Sequence, residues 1–177
     1  MGKRGTFGKA LSIIGAIVGL ASILLSFIAP ELFAWYRYYV SGFGSSGGYY
    51  LTGFGTVVSI PPSSFITQLA ILETIGGSLV ILGSILCIVA TVKKSKGMGA
   101  LGGLLMLLAP VLLVIDFLVG MSEFAGVIAD NTELFITRNW FWEDFFALLY
   151  HYIWGVWTGF FMGIAGGALG LIGGIAL

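Results

Sequence analysis

Glu31, Glu73, Asp116 and His151 are the residues of this chain whose types and spacing could do chemistry in an apolar setting. A carboxyl group within a hydrophobic run is costly to bury, and where it is functional it marks an ion or proton path. A histidine beside a carboxylate can relay protons near neutral pH. Glu31 stands 22 residues after Lys9, Glu73 stands 20 before Lys93, and Asp116 stands 20 after Lys96. A helix rises about 1.5 Å per residue, so about 20 residues cross a hydrocarbon core of roughly 30 Å. Counted from those lysines, the three acids reach one level near the far edge of such a core. His151, counted back from the C-terminus, reaches that level as well. The spacing predicts an outer ring able to take a cation or a proton. Glu73 is its strongest member, because it is the deepest relative to its own helix start near Phe65. The competing reading makes these groups interfacial, facing headgroups or water or paired with Arg37 and Arg138.

Other chemistries find little support. The chain holds one histidine and one cysteine, Cys87, and the layout below sets them on opposite sides of a membrane. Oxygen ligands could hold a hard cation, but no EF-hand spacing occurs. A haem would find only His151 as an axial ligand. There is no phosphate loop, dinucleotide fingerprint or G-x-S-x-G elbow. Cys87 lies in an apolar run that disfavours a thiolate, and alone it forms no intramolecular disulfide. No catalytic residue, cofactor or resident metal is therefore expected. The enzyme reading that stays open uses His151 with Glu143 or Asp144 on lipid at the outer interface.

The elements that must position these residues are hydrophobic rods. The 177 residues are 58% hydrophobic and 9% charged, against about 25% charged in a soluble domain. Net charge is zero, so nucleic acid is not an indicated partner. Four stretches are long enough to span a bilayer: about 7–33, 65–92, 97–121 and 145–177. The first exceeds a signal-peptide core and lacks a convincing cleavage site, so it reads as a retained helix. Pro110 should kink the third span or free a carbonyl for a neighbour. Lys3, Arg4, Lys9, Lys93, Lys94 and Lys96 fall at one end of the runs and the carboxylates at or beyond the other. The positive-inside rule then places both termini and the 93–96 loop in the cytoplasm of a multi-pass plasma-membrane protein.

Two outer loops follow, about 34–64 and 122–144. The first carries Trp35 to Val40, Tyr49 to Thr52 and Thr56 to Ile60 around a glycine- and serine-rich middle, ending at Pro61 and Pro62. It reads as two or three short strands. The second ends in residues 139–146, an aromatic stretch that reads as an amphipathic interfacial entry to the fourth helix. Trp35, Tyr36, Tyr38, Tyr39, Tyr49, Tyr50, Trp140 and Trp142 form the expected interaction surface, since tyrosine and tryptophan suit contacts. Gly159, Gly163 and Gly167 make one stripe, Gly166, Gly170 and Gly174 a second, and Gly15 with Gly19 a third. Such spacing lets helices approach closely, within the bundle or between copies.

The layout resembles that of claudin-like tetraspan proteins, with short inner ends, a long strand-forming first outer loop, a tight inner loop and a smaller second outer loop. The claudin signature Gly-Leu-Trp and paired cysteines are absent; Trp35 and Gly53-Phe54-Gly55 stand in that loop, and no functional residue is carried over. The expectation is an all-α integral membrane protein of one domain, residues 1–177. It is an antiparallel four-helix transmembrane bundle with a small extracytoplasmic cap, a β-hairpin or three strands. Its expected role is a non-enzymatic scaffold or accessory subunit that meets the lipid bilayer and either its own copies or other membrane subunits. The alternative is a cation- or proton-conducting subunit using Glu73 and Asp116.

Overall fold

In the computed structural model, residues 3–60, 70–119, 141–147 and 150–177 are described. Four long helices, α1 (Lys3–Ile28), α3 (Ile71–Lys93), α4 (Lys96–Val119) and α5 (Thr158–Ala176), are apolar along their length. Among the described residues these four are long and apolar enough to cross a membrane. Each presents bare aliphatic side chains outward, including Ile17, Leu24, Leu82, Ile85, Leu104, Val111, Ile164 and Ile172. A water-soluble protein rarely exposes so continuous an apolar surface, so the belt fits a membrane protein.

Local chemistry sets the helix ends. Ala29 precedes Pro30 and leaves the helical region at φ −140°, ψ 70°, as the proline ring demands of the residue before it. Pro30 then opens the single turn α2 (Pro30–Phe33). Lys94 closes α3 in the left-handed conformation, its amide bonded to the Ala90 carbonyl. Ser95 then caps α4, its hydroxyl accepting from the Met98 amide at 3.4 Å. The α3–α4 hairpin therefore needs no longer loop. α4 runs through Pro110 as one helix.

The helices pack antiparallel, with glycine at the crossings. A side chain at Gly15 would meet the Gly170 amide nitrogen at 2.5 Å, and one at Gly99 would meet the Gly174 Cα at 2.6 Å. A side chain at Gly102 would meet the Gly83 carbonyl at 2.6 Å. These contacts join α1 to α5, α5 to α4 and α4 to α3, the first two toward the end where Lys9, Lys96 and Leu177 lie. Gly5, Phe7, Lys96 and Leu177 line a shallow cleft there.

At the opposite end stands a sheet larger than the expected hairpin or three strands. Its five strands are β1 (Tyr36–Gly42), β2 (Ser45–Leu51), β3 (Val57–Ile60), β4 (Trp142–Ala147) and β5 (Tyr150–Val156), all antiparallel in the order β3-β2-β1-β5-β4. Two expectations are corrected here. The stretch 142–147 is a strand and no amphipathic helix, and the fourth long helix starts at Thr158, well after residue 145. Tyr150 to Trp157 is dense in aromatic and β-branched residues, which fit a pleated surface better than a helix. β1 pairs with β5 from Tyr36↔Val156 to Gly42↔Tyr150, so both outer segments share one sheet.

Alternation divides that sheet. Tyr36, Tyr38, Leu51, Trp154 and Val156 share the buried face and belong to the main core. Tyr36 stacks on Phe117 of α4 with ring centroids 4.2 Å apart, which ties that face to the bundle. The other face carries Arg37, Tyr39, Ser41, Asp144, His151 and Ile153 in register.

Candidate functional site

The sheet end of the bundle is filled by residues that are not helical. Trp35, only 1% exposed, drops its ring between helices: its Nε1 donates to the Ser22 carbonyl at 3.2 Å, and the same ring closes over Gly159 and Gly163. Beside it the loop 52–56 turns down against α1 and α3. The Gly53 amide donates to the Ser26 hydroxyl at 3.0 Å, and the Thr74 hydroxyl donates to the Phe54 carbonyl at 3.0 Å. The Ala70 amide donates to the Gly55 carbonyl at 2.9 Å. A buried loop must satisfy its backbone polar groups, and the hydroxyls of Ser26, Thr74 and Thr52 do so, the last accepting from the Thr56 amide at 3.1 Å. Gly53 and Gly55 are required by space. A Cβ at Gly53 would strike the Trp35 ring at 2.5 Å, and Gly55 has φ +73°.

This loop fixes the first turn of α3 and with it Glu73. Glu73 is 2% exposed and Asp116, on α4, is 1% exposed. Side chains tilt toward the N-terminus of their own helix, so in an antiparallel pair Glu73 leans toward the sheet and Asp116 leans away from it. Their carboxyl groups come within hydrogen-bonding reach. Ionised carboxylates only accept, and neither oxygen of Glu73 has a donor. A helix N-terminus offers a carboxylate about 0.3–1 kcal/mol, about 2 at most. Burying an unpaired ion costs several kcal/mol. The helix dipole therefore does not compensate Glu73.

The other two members of the expected ring are elsewhere. Glu31 lies on α2 and is exposed; Pro30 ends the helix on which its depth was counted. His151 lies on β5, paired with Asp144 at 2.6 Å on the sheet face away from the core. Depth counting assumed that β5 was helix. The ring is thus corrected to the pair Glu73–Asp116, with a separate His151–Asp144 pair on the sheet. Arg37 shares the sheet face of Asp144, and its guanidinium lies 3.2 Å from the Trp157 ring centroid and 5.7 Å from that of Trp142. Burial draws it below its ordinary value, with Tyr50, Asp144 and Tyr39 acting in the opposite direction.

The expected aromatic surface is corrected in part. Trp35, Tyr36, Tyr38 and Tyr50 are buried; burial pushes the Tyr38 phenol up to about 12 and Tyr36 further. Tyr39 and Tyr49 are half-buried, and Trp142 is exposed. Trp140, Arg138, Pro61, Pro62 and Phe65 lie outside the described residues. The glycines expected to pack helices (Gly15, Gly19, Gly159, Gly163, Gly166, Gly167, Gly170 and Gly174) all meet other parts of this same chain.

One residue escaped the sequence reading. Phe43 and Gly44 form the two-residue turn of the β1–β2 hairpin, at φ 49° and 78°. Two positive φ values in such a turn are the preference of Asn-Gly. Phe43 instead puts a bulky ring in the left-handed region, 71% exposed, touching Tyr150 edge-on at 5.3 Å. Its signal was a lone aromatic inside the glycine- and serine-rich run Ser41 to Gly48.

No protein-family model matches the chain, and no curated protein is detectably similar to it.

Proposed function

We propose that the protein is a non-enzymatic multi-pass membrane component, a scaffold or accessory subunit, that makes its contacts through the sheet. In this reading the lysine-bearing end and both termini face the cytoplasm, by the positive-inside rule, and the sheet stands outside the cell. Its partners are a second copy of the chain or another membrane subunit.

The observation that carries the reading is Phe43. A bulky residue with positive φ is a conformational outlier, and such strain clusters where a surface has work beyond folding. The ring sits at the sheet tip farthest from the bundle, beside Tyr150, where it contributes little to the core. The glycine stripes favour the sheet over the helices as the contact, because their surfaces already meet one another within the chain.

The test is Phe43→Asn. Asparagine suits the turn, so the fold is retained and gains about 1 kcal/mol from relieved strain. Association, read by cross-linking in native membranes and by co-purification, falls at least tenfold. Undiminished association of the variant, or a wild-type protein that is a strict monomer with no co-purifying subunit, refutes the proposal.

A further inference from the structure

We propose that Glu73 and Asp116 form a binding site for a single cation at the outer end of the bundle, filled by a proton when no metal ion competes and by a small hard cation when one does. Two observations converge on it. The first is the juxtaposition of two carboxyl groups from antiparallel helices, both almost wholly buried. The second is that Glu73 is a fully buried carboxylate whose two oxygens have no hydrogen-bond donor. A buried charge is normally paired or holds a cation, and an ionisable side chain inside a membrane bundle marks an ion or proton site.

The charges of the described residues do not supply that cation. Lys9, Lys93, Lys94 and Lys96 belong to the opposite end of the helices. Arg37 is on the sheet face turned away from the core, stacked on Trp157. On the side of the sheet, the titratable group over this end of α4 is the phenol of Tyr36, whose ring stacks on Phe117 next to Asp116. Tyr36 stays neutral and brings no positive charge. The charged group that faces Glu73 is the Asp116 carboxyl. A proton placed between the two turns one acceptor into a donor and supplies what the Glu73 oxygens lack. A hard cation would take the same oxygens, the ligands such ions prefer.

The site has packed material on two sides. From the sheet side it lies beneath β1 and the 52–56 loop, which is held by Ser26 and Thr74. From the core side it continues into Val80, Met106 and Leu113, which are wholly buried.

The test uses infrared difference spectra and thermal unfolding of the full chain in nanodiscs of zwitterionic lipid. In choline chloride at neutral pH, wild type shows the C=O stretch of a protonated carboxylic acid, and Glu73→Gln, which keeps the shape and donates to Asp116, lacks it. Adding sodium or calcium chloride then removes the band and raises the wild-type unfolding temperature by several degrees more than that of Glu73→Gln. An acid band that persists in both salts leaves the proton as sole occupant and overturns the metal half of the proposal. If wild type has no acid band in choline and its unfolding temperature follows that of Glu73→Gln in every salt, the site does not exist.

Discussion

The two ends of the helical bundle are built on opposite rules. At the lysine-bearing end backbone meets backbone: Gly15 on Gly170, Gly99 on Gly174, Gly83 on Gly102. At the sheet end the helices admit material between them: the Trp35 ring, the 52–56 loop and the carboxyls of Glu73 and Asp116. Glycine packing at the lysine-bearing end buries the Ser12 hydroxyl against Gly173 and gives it no partner. An inserted ring and loop bring buried amides and carbonyls, and these need hydroxyl partners. The difference teaches that polarity in this bundle follows the spacing of its helices. Where α1 and α3 separate enough to take a loop, serine, threonine and the acids follow.

The contrast can be broken at several points. Trp35→Ala has the largest expected effect, about 3–5 kcal/mol lost, because it empties the outer end; unfolding in mixed micelles reads it. A loss below about 1 kcal/mol would mean that the ring fills no necessary space. Gly174→Leu comes next, about 1–3 kcal/mol, since the new side chain collides with the Gly99 and Ala100 backbone. Gly97→Ala, where nothing lies within 4 Å, is its control; it changes stability by about 1 kcal/mol at most, toward greater stability, as alanine replaces glycine in a helix. Equal effects of the two would refute the claim of backbone-tight packing. Ser26→Ala has the smallest damaging effect, about 1 kcal/mol or somewhat more, by orphaning the Gly53 amide. Hydrogen exchange sharpens that result: the Gly53 amide should lose its protection while Trp35 keeps its native fluorescence.

The sequence made some of this legible and hid the rest for physical reasons. Hydrophobic length marks helices directly, so the presence of α1, α3 and α4 was readable, while α1 ends at Ile28 against the expected 33 and α3 begins at Ile71 against the expected 65. The convergence of Glu73 and Asp116 was readable because both are counted along unbroken helix from lysines at the same end. Glu31 and His151 failed the same count because Pro30 and β5 interrupt it. β5 was absorbed into the fourth apolar run because Tyr150 to Val156 is apolar on both faces, so its alternation is faint. The better signal was composition. Tyr152, Ile153, Trp154 and Val156 prefer a strand, and 33 residues are more than about 20 needed to span. The inward turn of the 52–56 loop had no signature, since its glycines resemble those of any exposed turn until the Trp35 ring is placed against them.

The central position of β1 has a consequence for how the molecule is made. Its neighbour β2 leaves the ribosome a few residues later, but its other neighbour, β5, emerges only after α3 and α4 have been synthesised. Until then the Tyr36-to-Gly42 strand keeps one row of amides and carbonyls unsatisfied, an invitation to wrong pairing. The last strand to arrive zips the first segment to the final helix and closes the chain on itself. A nascent polypeptide stalled before Tyr150 therefore holds its first three long helices and an adhesive border, and quality control would meet it in that form.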